Sequence, residues 1–192
     1  MNIDLENTLE LAVAWAKEVG EVQRSYFRSG HLDIETKSTV HDVVTKVDKL
    51  SESMLIERIG TCFPDHSVLG EESGEHDAHS DYLWVVDPLD GTTNYIHDNA
   101  PYCVSIALRD KDSLLLGVVY DPCRDECFYA WKGGKAFMNG EEIHVSNVED
   151  IKDAFVIIEL PYNHLQYKQT ALHLIDQLYG VVGGIRMNGS AA

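Results

Sequence analysis

Apolar side chains recur at Leu5, Leu9, Ala12, Val13, Ala16, Val19 and Val22, the spacing of a helix that buries one face. The pattern predicts a helix from residue 4 to about residue 29, with Gly30 as its C-terminal stop. The same spacing returns at Val44, Val47, Leu50, Met54, Leu55 and Ile59 and predicts a second helix over about 43–59. The stretch between them, IETKSTVHD, is mostly polar and reads as extended or looped chain. The period then changes. SVLGE (67–71), YLWVVD (82–87), YCVSIALR (102–109), LLLGVVYD (114–121) and ECFYAW (126–131) are short and rich in β-branched and aromatic residues, and they predict strands. Asn139-Gly140 between AFM and EEIHV predicts a hairpin. AFVIIEL (154–160) reads as a buried strand, and QTALHLIDQLYG as a helix with Gly180 beyond its end.

Helices flanking a strand-rich middle predict a layered, mixed α/β (α+β) architecture. The expected division is an N-terminal α/β domain over residues 1–150 and the beginning of a second α/β unit over 151–192.

Composition narrows the function classes. A hydrophobic fraction of 44% over 192 residues supports a real core. The formal net charge of −17 repels nucleic-acid backbones and anionic membranes, so neither is an expected partner. An anionic substrate can still bind where metal cations reverse the local field. No apolar run is long enough to span a bilayer, and the acidic, amphipathic N-terminus is unlike a signal peptide. Cys62, Cys103, Cys123 and Cys127 show no metal-type spacing and read as free thiols, which suggests a cytoplasmic setting.

The chemistry concentrates in WVVDPLDGTTN (84–94). An apolar strand runs into Asp87, and Pro88, which cannot donate to a ladder, is expected to end the strand there. The turn that follows can bring the Asp87 and Asp90 carboxylates to one side, with the Leu89 carbonyl turned inward. Gly91 permits close backbone approach to a ligand, and the Gly91 and Thr92 amides at a helix start would suit a phosphate. Two carboxylates this close repel unless a cation lies between them, and hard oxygen donors suit Mg²⁺. A second acidic element, Gly70-Glu71-Glu72-Ser73, follows the apolar SVL, and Asp42 and Asp48 flank the start of the second helix. Taken singly, each is ordinary turn or loop chemistry. Their order is the informative feature: two strand ends, each apolar and then acidic, followed by Gly-Thr-Thr.

GEES followed by WVVDPLDGTTN resembles the two signatures of the inositol monophosphatase family, magnesium-dependent, lithium-sensitive phosphomonoesterases. ETKSTVHDVVTKVDK resembles that family's lysine-containing loop, and GIRMNGSAA resembles its later substrate segment. The resemblance implies an α-β-α-β-α sandwich, Mg²⁺ as cofactor, a small phosphorylated polyol as substrate and a homodimer. It implies that Glu71, Asp87 and the Leu89 carbonyl hold a first Mg²⁺, with Asp90 on a second and Asp87 bridging. Thr92, hydrogen-bonded to Asp48, would help Glu71 orient and deprotonate the attacking water. The Gly91 and Thr92 amides would hold the phosphate, with Lys37 nearby. Gly189, Ser190, Ala191 and Arg186 would touch the alcohol part of the substrate or the dimer-related edge of the site.

One departure stands out. The family continues past Gly-Ser-Ala-Ala to a Trp-Asp motif, whose Asp completes the second metal site, and to a Glu that reads the inositol hydroxyls. No Asp or Glu follows Asp176 in this chain, so the second α/β part is expected to be incomplete. The alternatives are a nucleotide 3′-phosphatase, a fructose-bisphosphatase-like enzyme, or a non-catalytic metal- or phosphate-binding relative. A haloacid-dehalogenase reading fails on spacing, since it needs D-x-D and the chain has D-x-x-D. The His76-x-x-His79 pair reads as a loop, not a zinc site, for want of a third ligand.

Overall fold

The computed structural model describes residues 3–36, 43–76, 80–160, 165–190 and 192. The first helix, α1, runs Leu5–Tyr26 and is capped by Asp4, whose side chain accepts the Asn7 amide. It ends three residues before the predicted last helical residue, about residue 29. Phe27 leaves the helix to pack on Tyr95 and Tyr102, with ring centroids 5.5 and 5.0 Å away.

Two short strands, β1 (Glu35–Thr36) and β2 (Val43–Val44), pair antiparallel before α2, Lys46–Cys62. The second helix therefore starts later than its apolar pattern suggests. Thr45 closes a capping box with Asp48, and Val44 lies in a strand. Leu50, expected on the apolar face, is 41% exposed. The buried face of α2 instead carries Asp48, Ser51 and Glu52 beside Val47, Leu55 and Ile59. That polar content tracks what the helix faces, since its N-terminal half looks toward the acidic strand ends.

The strands are β3 (Ser67–Gly70), β4 (Gly74–His76), β5 (Leu83–Asp90), β6 (Cys103–Arg109), β7 (Leu114–Asp121), β8 (Glu126–Trp131), β9 (Ala136–Met138) and β10 (Glu141–Glu142). They form a sheet in the order β10-β9-β8-β7-β6-β5-β3-β4. Within this sheet β3 and β5 pair in parallel, and the other described neighbours are antiparallel. The predicted hairpin is present, with φ of 50° at Asn139 and 90° at Gly140. α1 and α2 cover one face of the sheet. Leu9, Ala12, Trp15, Ala16 and Val19 meet Val86, Val104, Ile106, Val118 and the fully buried Trp84 in one core.

Past residue 150, β11 (Phe155–Ile157) and β12 (Gly184–Arg186) form a separate parallel pair, with α4 (Lys168–Leu178) in the connection between them. The expectation of a buried strand at 154–160 is corrected here. Phe155 is 63% and Ile157 53% exposed, because β11 pairs only with β12 among the described residues. No helix among the described residues is long and apolar enough to cross a membrane.

Candidate active site

The site is built at a defect in β5. That strand pairs with β6 up to Asp87 opposite Ser105 and resumes with Asp90 opposite Cys103, so β5 carries one extra residue between the two pairs. The strand thus continues past Pro88 and does not stop there. Proline is tolerated because a bulge asks for no ladder N–H at that position. Gln23, fully buried on α1, donates from Nε2 to the Pro88 carbonyl at 2.6 Å, and Tyr95 Oη donates to the Gln23 carbonyl at 2.6 Å. The Leu89 side chain is buried while its carbonyl lies 3.0 Å from Thr92 Oγ1. Gly91, with φ of 90°, then leads into the five-residue helix α3, Thr92–Ile96.

Parallel pairing of β3 with β5 sets Gly70 opposite Val86, so Glu71 and Asp87 emerge side by side. The two carboxyl groups lie close enough to perturb one another. Among the described residues, Asp87 Oδ1 is buried without a hydrogen-bond partner. Burial, reinforced by the charges of Glu71 and Asp90, pushes the Asp87 carboxyl up to about 8. Asp90 is close enough to contribute to that shift, but its Oδ2 faces elsewhere. It accepts from Ser190 Oγ and from the Ala192 amide at 2.8 Å, with Cys103 Sγ 3.6 Å away. Among the described residues, no three acidic, histidine or cysteine side chains converge as a ready-made ligand set. The structure therefore brings Glu71, Asp87 and the Leu89 segment together and holds Asp90 at their edge.

Beside this pair lies a hydroxyl held by an acid. Thr92 Oγ1 is 3.0 Å from Asp48 Oδ1. Asp48, fully buried in the first turn of α2, accepts at Oδ2 from the Thr45 amide (2.9 Å) and hydroxyl (2.5 Å). Burial pushes the Asp48 carboxyl above its ordinary value, and the Thr45 and Thr92 hydrogen bonds oppose that shift.

Two supporting residues were not singled out from the sequence. Gln23 had no signal beyond a polar residue on an apolar helix. Glu52 had a faint one: it stands one helical turn after Asp48, hence on the same face. Its carboxylate is 2% exposed and accepts the Glu72 amide at Oε2 and the Ser73 amide at Oε1, both at 2.8 Å, fixing the loop that carries Glu71. A Cβ on Gly70 would lie 2.5 Å from Glu52 Oε2, so only glycine admits this approach. Glu52→Gln keeps one acceptor but turns an NH₂ toward the other amide. We expect it to lose about 1–3 kcal/mol of stability, read from urea unfolding.

The remaining predicted residues sort as follows. Lys37, Asp42, His79 and Ala191 lie outside the described residues. Arg186 stacks its guanidinium 5.0 Å from the Phe155 ring centroid. Gly189 donates its amide to Glu159, and Ser190 reaches Asp90.

The donor chemistry fits a hard divalent cation. The groups are carboxylate and carbonyl oxygens, one buried oxygen has no partner among the described residues, and an adjacent pair of carboxyls cannot both ionise unaided. Residues 4–192 match the model of the inositol monophosphatase family. The chain is 36% identical over 185 residues to the Nus factor SuhB of Salmonella typhimurium, covering 96% of this chain and 69% of that one. It is 36% identical over 198 residues to the inositol monophosphatase of Dictyostelium discoideum, covering 100% and 72%. The crystal structure of the extragenic suppressor protein suhB from Bartonella henselae superposes with a TM-score of 0.90 at 32% identity, covering 97% of this chain and 72% of that one. The chain belongs to the inositol monophosphatase family of Mg²⁺-dependent phosphatases.

Proposed function

We propose that this chain hydrolyses a small phosphate monoester, inositol monophosphate first among candidates, by attack of water on phosphorus. The observation that carries this reading is the pairing of a buried Asp87 oxygen, without a partner among the described residues and beside Glu71, with a Thr92 hydroxyl backed by buried Asp48. Glu71, Asp87 and the Leu89 carbonyl would hold one Mg²⁺, and Asp90 a second, with Asp87 shared between them. Bound Mg²⁺ supplies charge neutralisation at the phosphoryl oxygens and the leaving alkoxide, and it acidifies water.

The chain's own groups do the rest. Thr92 Oγ1 accepts a hydrogen bond from the attacking water while donating its own proton toward Asp48, and Glu71 takes up the water's second hydrogen bond. Together they fix the lone pair on the phosphorus side. The Gly91 and Thr92 amides open a helix whose first turn has no carbonyl one turn back to bind, so they serve as donors to phosphate oxygens. Gly189 and Ser190, with Arg186, would border the alcohol part of the substrate; the roles expected of Lys37 and Ala191 fall on residues outside the described ones.

The test of substrate class is phosphate release from inositol 1-phosphate, fructose 1,6-bisphosphate and adenosine 3′,5′-bisphosphate at matched Mg²⁺. The highest kcat/KM is expected on inositol 1-phosphate, and a higher value on either of the others reassigns the substrate.

A further inference from the structure

Glu159 stands where two strands leave their sheet side by side. β11 and β12 run parallel with Ile157 opposite Arg186, and the Ile158 amide donates to the Arg186 carbonyl at 2.9 Å. One residue further on, Glu159 accepts the Asn188 amide at Oε1 and the Gly189 amide at Oε2, each at 2.9 Å. Successive N–H groups next to a left-handed residue form an anion-binding concavity, and Gly189 has φ of 76°. Here the anion is the chain's own carboxylate. Asn94 grips the same segment from the opposite side, donating Nδ2 to the Asn188 carbonyl at 2.7 Å and the Pro101 carbonyl at 2.8 Å. The approach is so close that a Cβ on Gly189 would lie 2.8 Å from Asn94 Oδ1. The residues that follow end on Asp90, where the Ser190 hydroxyl and the Ala192 amide both donate to Oδ2.

We propose that Glu159 is a positioning residue: by gripping the Asn188 and Gly189 amides it fixes the segment that ties Ser190 to Asp90 Oδ2, and so leaves Asp90 Oδ1 aimed at the metal site. The inference rests on the reading of Asp90 as a metal ligand. A carboxylate suits the task because its two oxygens accept two separate amides, each in a charge-assisted bond. Loss of such an outer partner typically costs about 10- to 100-fold in metal affinity. Nothing in the sequence marks Glu159, which reads there as the polar end of an apolar run.

The test uses the full chain and its Glu159→Ala, Glu159→Gln and Asp90→Asn variants. Two quantities are measured: Mg²⁺ affinity by calorimetry, and hydrogen exchange of the Asn188 and Gly189 amides without metal. In Glu159→Ala both amides are expected to lose protection, and Mg²⁺ binding to weaken by about 10- to 100-fold. Glu159→Gln, isosteric and still able to accept one amide, falls between. Unchanged protection, or Mg²⁺ affinity unchanged or tightened in Glu159→Ala, overturns the proposal. If Asp90→Asn binds Mg²⁺ as tightly as the parent, the metal reading of Asp90 fails on its own evidence, and the exchange data still judge the clamp.

Discussion

Asp87→Asn is expected to abolish Mg²⁺-dependent phosphate release and, in the absence of metal, to make the protein more stable. The first half follows from the position of Asp87, whose buried Oδ1 has no hydrogen-bond partner among the described residues and which, in the proposed reading, would help hold both cations. Removing one preorganised electrostatic group from an active site costs about 10²–10³ in rate, and here the loss should be at least that large.

The second half follows from the sign of the Asp87 shift. A carboxyl near 8 in the folded chain, against about 4 unfolded, lets the folded state bind the extra proton between those values. Stability from this group is therefore full below about pH 4, declines as the pH rises toward 8 and levels off above it. Asparagine carries no such titration, so the variant gains a margin on the order of a few kcal/mol near pH 8. Mg²⁺ reverses the comparison, because it binds the ionised parent and stabilises it by mass action while releasing a proton. Thermal unfolding at pH 8 in EDTA and in Mg²⁺ checks both signs. A variant less stable than the parent in EDTA, or one that retains turnover, contradicts this account of Asp87.

Thr92→Val separates water activation from metal binding. It keeps the shape of the side chain but removes the hydroxyl that lies between Asp48 Oδ1 and the Leu89 carbonyl. The expected result is a fall in kcat of about 10²–10⁴-fold, the usual scale for a general acid–base partner, with the Mg²⁺ requirement little changed. Buried Asp48 also loses one of its donors. Its carboxyl should move still further up, and the protein should lose about 1–3 kcal/mol of stability. Thr92→Ser restores the hydroxyl and should recover most of the rate. Wild-type kcat in Thr92→Val would remove the Thr92–Asp48 pair from the mechanism.

The parts of this molecule legible in its sequence are those governed by short-range rules. Helical spacing in α1, the apolar runs of β3 and β5–β8, and Asn139-Gly140 each carry their own signal, and the structure bears them out. The pairing of Glu71 with Asp87 was legible for the same reason, since two acids at the ends of apolar strands meet once those strands are neighbours.

What sequence alone missed depends on partners remote along the chain. Pro88 reads as a strand stop, because nothing local tells that a bulge will absorb it and that Gln23, 65 residues earlier, will hold its carbonyl. α2 starts later than its apolar spacing suggests because Thr45 and Asp48 cap each other, a local signal weaker than that of the apolar residues around it. Glu52 and Glu159 escape for a deeper reason. Both act by accepting backbone amides, and any loop offers amides whatever its sequence. The apolar content of β11 suggests a buried strand, yet apolar content shows only what a strand can bury, not what covers it.

The central claim is that this 192-residue chain is a metal-dependent phosphomonoesterase whose acidic strand ends hold the cation. The direct measurement is phosphate release from inositol 1-phosphate across a Mg²⁺ titration, by the parent chain and by Asp90→Asn. The account predicts release that rises with Mg²⁺, stops in EDTA and is lost in the variant. No release by the parent at any Mg²⁺ concentration, or release that persists in EDTA and in Asp90→Asn, would contradict it.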